Sequence, residues 1–183
     1  MIVKKESDVH QWRLAPKLCR ESRVFKTSRV FPNDVNNHDS LFGGKLMSAI
    51  DELASISAVR HCRYNVITAS TDSVDFLRPI LQSDSVCLES YVTWTGRTSM
   101  EVFVKVVSEN LFSGERAIAA TSFLTFVAVD EHGTPMIVPP VIPHSEEEKL
   151  LHESAQERAE LRKKRRAGSK QLASQLSTRK YWE

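Results

Sequence analysis

At 183 residues with 41% hydrophobic side chains, the chain can bury one ordinary core unaided, and its +2 formal charge argues against a dedicated nucleic-acid binder while leaving room for local basic runs. Cys19, Cys62 and Cys87 are odd in number and form no Cys-x-x-Cys pair, which argues against a disulfide framework or a zinc site and for reducing surroundings. With no apolar run near the roughly 20 residues of a membrane span, and no signal-peptide core after Met1, a cytoplasmic protein is expected.

In chain order, residues 1–21 read as an irregular N-terminal arm with Trp12 and Leu14 as its docking points. Ser22-Arg-Val-Phe-Lys-Thr-Ser-Arg-Val-Phe31 has strand character, and Pro32-Asn-Asp34 closes it. There follows Asp34-Val-Asn-Asn-His-Asp-Ser-Leu-Phe-Gly-Gly-Lys-Leu-Met-Ser-Ala-Ile-Asp51, a polar turn that passes through Gly43-Gly44 into a helix running to His61. Leu46, Ile50, Leu53 and Ser57 recur at helical spacing with Met47, Ala54 and Ala58 beside them, so the helix is apolar on most sides. Small residues such as Ser48, Ala49 and Ser55 let other backbone approach it all round, as in a helix wrapped by a sheet. Glycines at a helix start leave the first amides bare at the positive end of the dipole, where a phosphate or a polarised carbonyl can dock. Asp51 follows about two turns later. A carboxylate in such a helix needs a partner or a task, so Asp51 is either one half of a structural ion pair or a reactive group.

Four more strands are expected over Ile67–Leu77, Ser85–Trp94, Ser99–Val107 and Ala117–Val129. Val86, Leu88, Ser90, Val92 and Trp94 share one face, as do Met100, Val102, Val104 and Val106, which fits an antiparallel sheet. Thr95–Thr98 and Asn110–Glu115 read as hairpin connections, and Asp130–Pro135 ends the last strand. One helix followed by a meander of long strands packs economically when the sheet curls around the helix, an α+β architecture of the hotdog type. Such a sheet has open edges, so a homodimer is expected. Three prolines in Pro139-Pro-Val-Ile-Pro143 mark the end of a domain over residues 22–143. Residues 144–183 form a charged extension, helical from its Ser145 cap to Arg166. Its basic run Arg162–Arg166 reads as a solvated helix face interleaved with Glu153, Glu157 and Glu160.

The glycine stretch, together with Thr68-Ala-Ser-Thr-Asp-Ser-Val-Asp-Phe-Leu-Arg-Pro-Ile80 and Gly96-Arg-Thr-Ser-Met100, resembles the hotdog-fold acyl-CoA thioesterases of the acyl-CoA hydrolase family. The resemblance covers about Ser22 to Pro139 and implies hydrolysis of an acyl-CoA thioester to free acid and CoA, with no metal or organic cofactor. It places the carbonyl on the Gly44 amide, with Gly43 needed for the tight turn, and makes Asp51 a general base or a nucleophile. Asn36 orients the water or the thioester and reaches Asp51 across a dimer interface, so the sites are composite and the assembly extends to a trimer of dimers. By residue chemistry alone, Asn36 equally reads as an Asx-turn residue. Arg97 with Thr98 and Ser99 meets the nucleotide end of CoA, and Arg78 is a second phosphate ligand. Without the resemblance, Arg97 is a solvent-exposed hairpin residue. Asp72 and Asp75 read as structural or rim residues, and His61 as a cation at the negative end of the helix dipole. Asp39 stands where the family has glycine, which implies either a left-handed backbone there, which aspartate tolerates, or a close approach to the substrate. The alternative to an enzyme is a hotdog module that binds acyl-CoA without turnover.

Overall fold

The computed structural model describes residues 14–180 and residue 182, so the expected docking of Trp12 lies outside the described residues. A short strand β1 (Lys17–Leu18) leads into the turn of helix α1 (Cys19–Ser22) and strand β2 (Val24–Arg29). A 3-10 turn over Pro32–Asp34 precedes helix α2 (Gly43–Cys62). Strands β3 (Asn65–Phe76), β4 (Asp84–Thr95), β5 (Ser99–Asn110) and β6 (Arg116–Val129) follow. Strand β7 (Val141–Ile142) and helices α3 (Glu146–Glu153) and α4 (Ala155–Ala173) complete the chain. The main sheet is antiparallel in the order β2-β4-β5-β6-β3, so β2 and β3 are its edges.

The two faces of this sheet follow from its register. Ser90 pairs with Val104 and Val104 with Ser122, and Ser90 Oγ meets Ser57 Oγ of α2 at 2.6 Å, so this row faces the helix. Two small hydroxyls that satisfy each other let helix and sheet approach closely at no polar cost. Around them Ile50, Leu53 and Ala54 of α2 pack with Leu88, Val102, Val106, Leu124 and Phe126, all nearly solvent-free. Each large aliphatic buried here contributes about 1.5–3 kcal/mol. The next row, Tyr91, Phe103 and Phe123, points away from α2 and is covered by α3 and α4. Tyr91 Oη donates to Glu147 at 2.8 Å, and the Arg158 guanidinium lies 4.1 Å over the Phe123 ring. The result is α+β, a five-stranded sheet with a long helix on one face and the C-terminal helices on the other.

Four expectations need correction. The segment before Val24 is not an irregular arm throughout: β1 pairs in parallel with β7, and Cys19 and Ser22 are fully buried. Helix α2 is not enclosed on all sides, because Met47, Ile56 and Val59 are each 40–47% exposed. His61 is no solvated cation. Its ring is fully buried, Nε2–H donates to Pro139 O at 2.8 Å, Nδ1 has no partner among the described residues, and burial lowers its pKa. The cation at that helix end is Lys17, whose Nζ donates to His61 O at 2.5 Å. Nor is the basic run of α4 simply solvated. Arg162 is buried and donates to Asp72 at 2.9 Å and to Glu101, a fully buried carboxylate, at 3.4 Å. The structural reading of Asp72 agrees with this arrangement.

Candidate active site

The polar turn before α2 is held by its own side chains. Asn36 Oδ1 accepts from His38 N at 2.8 Å and Ser40 Oγ at 3.2 Å, closing an Asx turn. Its amide nitrogen has no partner among the described residues and is free to donate. Asp39 sits at φ 55, so the left-handed position lies at this residue. Asp34 Oδ1 accepts from Lys45 Nζ at 2.6 Å, and this bond, with that from Phe31 N, holds the Asp34 carboxyl below its usual range. The turn is thereby tied to the first turn of α2.

Helix α2 starts without a side-chain cap: Lys45 N and Leu46 N both donate to Phe42 O, while the amides of Gly43 and Gly44 meet no acceptor among the described residues. The two glycines differ in need. A Cβ at Gly44 would lie 2.6 Å from a ring carbon of Phe42, whereas one at Gly43 would meet Phe76 at an ordinary 3.5 Å. Neither has positive φ, so the turn makes no conformational demand for glycine at position 43. Asn36, Gly43 and Arg78 line one cleft of about 400 Å³, walled by Leu41, Leu46 and Phe76. Arg78 is exposed and forms no ion pair among the described residues.

Asp51 is half-buried on the open side of α2, seven residues and so two turns beyond Gly44, on the same face. Its Oδ1 accepts from Thr68 Oγ1 of β3 at 3.0 Å. No cation pairs with it among the described residues. Thr68 was not among the residues expected at the site. It opens the second of the three motifs, and in a run of Thr, Ala and Ser nothing in the sequence marks the one hydroxyl that meets the carboxylate.

Arg97, Thr98 and Ser99 do not join these groups. Gly96 N donates to Ser99 O at 2.8 Å, so Arg97 and Thr98 form the tip of a two-residue turn. A Cβ at Gly96 would come within 2.8 Å of Ser99 Oγ, so the serine side chain would have to turn away. Ser99 pairs with Val127 and Asn65 with Val129, so this turn lies at the C-terminal end of α2. The 20 residues of α2 separate the two ends by about 30 Å. Among the described residues no cluster of His, Cys, Asp and Glu could hold a metal ion. The cysteines are free, with burial pushing the Cys19 thiol up to about 12 and Cys62 in the same direction. Among the described residues no helix is long and apolar enough to cross a membrane.

An acyl-CoA thioester hydrolase of Bacillus subtilis, itself uncharacterized, is 64% identical over 166 residues, 91% of this chain and 96% of its own length. The chain belongs to the hotdog-fold acyl-CoA hydrolases. Residues 38–111 of this hydrolase match the Thioesterase superfamily. Staphylococcus aureus acyl-CoA hydrolase, solved in complex with butyryl coenzyme A, coenzyme A and coenzyme A disulfide, is 45% identical to it. The two superpose with a TM-score of 0.84 over 87% of this chain and 97% of that one. That enzyme has also been solved as single alanine variants at an aspartate, a threonine and an asparagine. A hexameric acyl-CoA thioesterase is 50% identical, with a TM-score of 0.81 over 84% of this hydrolase and 98% of its own chain.

Proposed function

We propose that this acyl-CoA hydrolase cleaves fatty acyl-CoA to free fatty acid and CoA at a composite site between two subunits, without a metal or organic cofactor. The observation that carries the reading is the placement of Gly44 and Asp51 on one open helix face, two turns apart. About 10 Å of helix axis separates them, so one carbonyl cannot touch both within a chain. A second copy packed on the open side of α2 that carries Gly44 and Asp51, with its helix antiparallel, brings one subunit's Gly44 and Asn36 to its partner's Asp51. The same pairing moves one subunit's Arg97 turn toward its partner's cleft.

In this arrangement the Gly44 amide donates to the thioester oxygen and stabilises the oxyanion that develops there. Asp51, oriented by the Thr68 hydroxyl, takes a proton from a water whose oxygen attacks the carbonyl carbon. The C–S bond then breaks, the thiolate of CoA leaves, and the proton on Asp51 returns to it. If Asp51 attacks directly, the thiolate of CoA leaves to give a mixed anhydride, which a water then hydrolyses; only attack of that water on the Asp51 carboxyl carbon leaves a protein oxygen in the acid product. Asn36, with its amide nitrogen unoccupied, orients the water or the thioester. Arg97, Thr98 and Ser99 bind the nucleotide end of CoA, and Arg78 is a second phosphate ligand. The asparagine, aspartate and threonine changed in the Staphylococcus aureus variants are spaced along that chain as Asn36, Asp51 and Thr68 are along this one, which supports these assignments. The hexameric relative supports a dimer that assembles further, as a trimer of dimers.

Thiol release from a series of acyl-CoAs tests the reading. Asp51→Ala is expected to lose activity by about a thousandfold or more. An Asn36→Ala subunit mixed with an Asp51→Ala subunit recovers activity only if sites are shared between chains. A variant with Asp51→Ala at the wild-type rate, or a stable monomer in sedimentation with full activity, refutes it.

A further inference from the structure

Strand β3 changes face between Thr68 and Asp72. In a regular strand Thr68, Ser70 and Asp72 would share one side of the sheet. Here Thr68 pairs with Phe126 and reaches Asp51 on α2, whereas Ser70 pairs with Thr125 and Asp72 lies against α4. The register slips between Thr68 and Ser70 and again between Thr71 and Ser73, leaving Ala69 and Asp72 as extra residues. Without the slip at Ala69, Thr68 would stand on the α4 side and could not meet Asp51.

An edge strand has a ladder on one side only, so nothing in the sheet itself holds these bulges from outside. Helix α4 does. The Asp72 carboxylate accepts from Ser70 Oγ at 2.6 Å, from Thr125 Oγ1 at 2.7 Å, from Arg162 at 2.9 Å and from Arg165. Arg165 also donates to the Asp72 main-chain carbonyl at 2.7 Å, gripping the bulge by its backbone. Burial works against the charge on Asp72, but the Ser70 and Thr125 hydroxyls and Arg162 outweigh it and hold the carboxyl below its usual range. Hydrogen bonds run from α4 to Asp72 and on to Ser70 beside the first bulge, and two residues back along the β3 backbone Thr68 meets Asp51.

We propose that Arg165 and Arg162, acting through Asp72, are positioning residues of the hydrolase: they lock the two bulges of β3 and so keep the Thr68 hydroxyl on Asp51. The proposal rests on Asp51 as the reactive carboxylate. It gives the C-terminal helix a part in catalysis although that helix lies on the opposite face of the sheet.

Arg165 is half-exposed, so Arg165→Ala removes two contacts to the bulge without opening the core. The full-length protein carrying it is expected to keep its KM and lose about tenfold in kcat, the scale of a small misplacement at a reacting group. Arg165→Lys recovers part of the loss. In a Thr68→Val background the same Arg165→Ala change costs nothing further, since both act on one contact. Arg166→Ala, which removes an exposed cation one residue on with no partner among the described residues, keeps wild-type kinetics. Unchanged kcat in Arg165→Ala, an equal further loss on top of Thr68→Val, or the same loss in Arg166→Ala overturns the proposal. Activity in Asp51→Ala would instead overturn the reading of the reactive carboxylate, so the two failures are told apart.

Discussion

Replacing Arg158 by alanine should be the most damaging single truncation of the C-terminal helices, and its cost can be worked out from the contacts. Glu101, in the middle of β5, has no solvent exposure, and its charge is compensated mainly by Arg158, which donates to its two oxygens at 2.7–3.3 Å. The same guanidinium caps Leu151 O at 2.6 Å and Ser154 Oγ at 2.7 Å and lies over the Phe123 ring. Removing one partner of a buried ion pair costs about 3–5 kcal/mol. Arg162 at 3.4 Å and Thr93 Oγ1 at 2.9 Å still serve Glu101, which places the loss in the lower part of that range, about 3–4 kcal/mol. For a chain of this length that is a fall in Tm of roughly 6–16 °C. The assay is thermal unfolding at one fixed protein concentration, because an oligomer's Tm depends on it. The decisive comparison is the double variant Arg158→Ala with Glu101→Gln. It removes the stranded charge and should recover at least half of the loss. A fall below about 2 °C in the single variant, or no recovery in the double, refutes the argument that an uncompensated buried charge dominates.

Three further outcomes follow from the site and the core. Gly44→Ala pushes its Cβ into Phe42 and should lower kcat by about tenfold or more, while Gly43→Ala, with room beside Phe76, should stay within about twofold in the same thiol-release assay. Burial lowers the pKa of His61 below its ordinary 6.5, so the unfolded chain binds the proton more readily. The stability His61 contributes is therefore complete above about pH 6.5 and declines as the pH falls toward its folded-state pKa; urea unfolding at stepped pH should show this slope in the wild type and a shallower one in His61→Leu. Ile50→Ala, which empties a fully buried position of α2, should cost about 2–5 kcal/mol in the same urea titration, and a loss below about 1 kcal/mol would mean that the helix is not the centre of the core.

The architecture was legible because its signals are local. Helix α2 announces itself through Leu46, Ile50, Leu53 and Ser57, and β4 and β5 through strict alternation, so the fold class and the three motifs could be placed from the chain alone. What stayed hidden depends on contacts between distant segments. Arg162 is preceded by acids at helical spacing, so it reads as part of a solvated face; its actual partners, Asp72 and Glu101, lie far back in the chain on two strands. Bulges leave no mark in a run such as Thr68-Ala-Ser-Thr-Asp72, because polar residues on both sides conceal a change of face. His61 looked like a helix-end cation because nothing in its neighbourhood reveals that Pro139 and Lys17 fold over it. At the candidate site, the bare amides were readable from residue type and the left-handed Asp39 from the family's glycine at that position, whereas the Thr68 hydroxyl was not.

The covering of the sheet's outer face by α3 and α4 has a consequence for synthesis. A ribosome delivers β2 through β6 first, and these suffice to wrap α2 on its core side. Until residues 144–173 emerge, Phe103 and Phe123 lack the cover of α3 and α4 and the charge on Glu101 lacks Arg158 and Arg162. The growing chain therefore passes through a stage with one finished face and one sticky face. A stop codon just beyond Pro143 would freeze it there, with an apolar face open to aggregation.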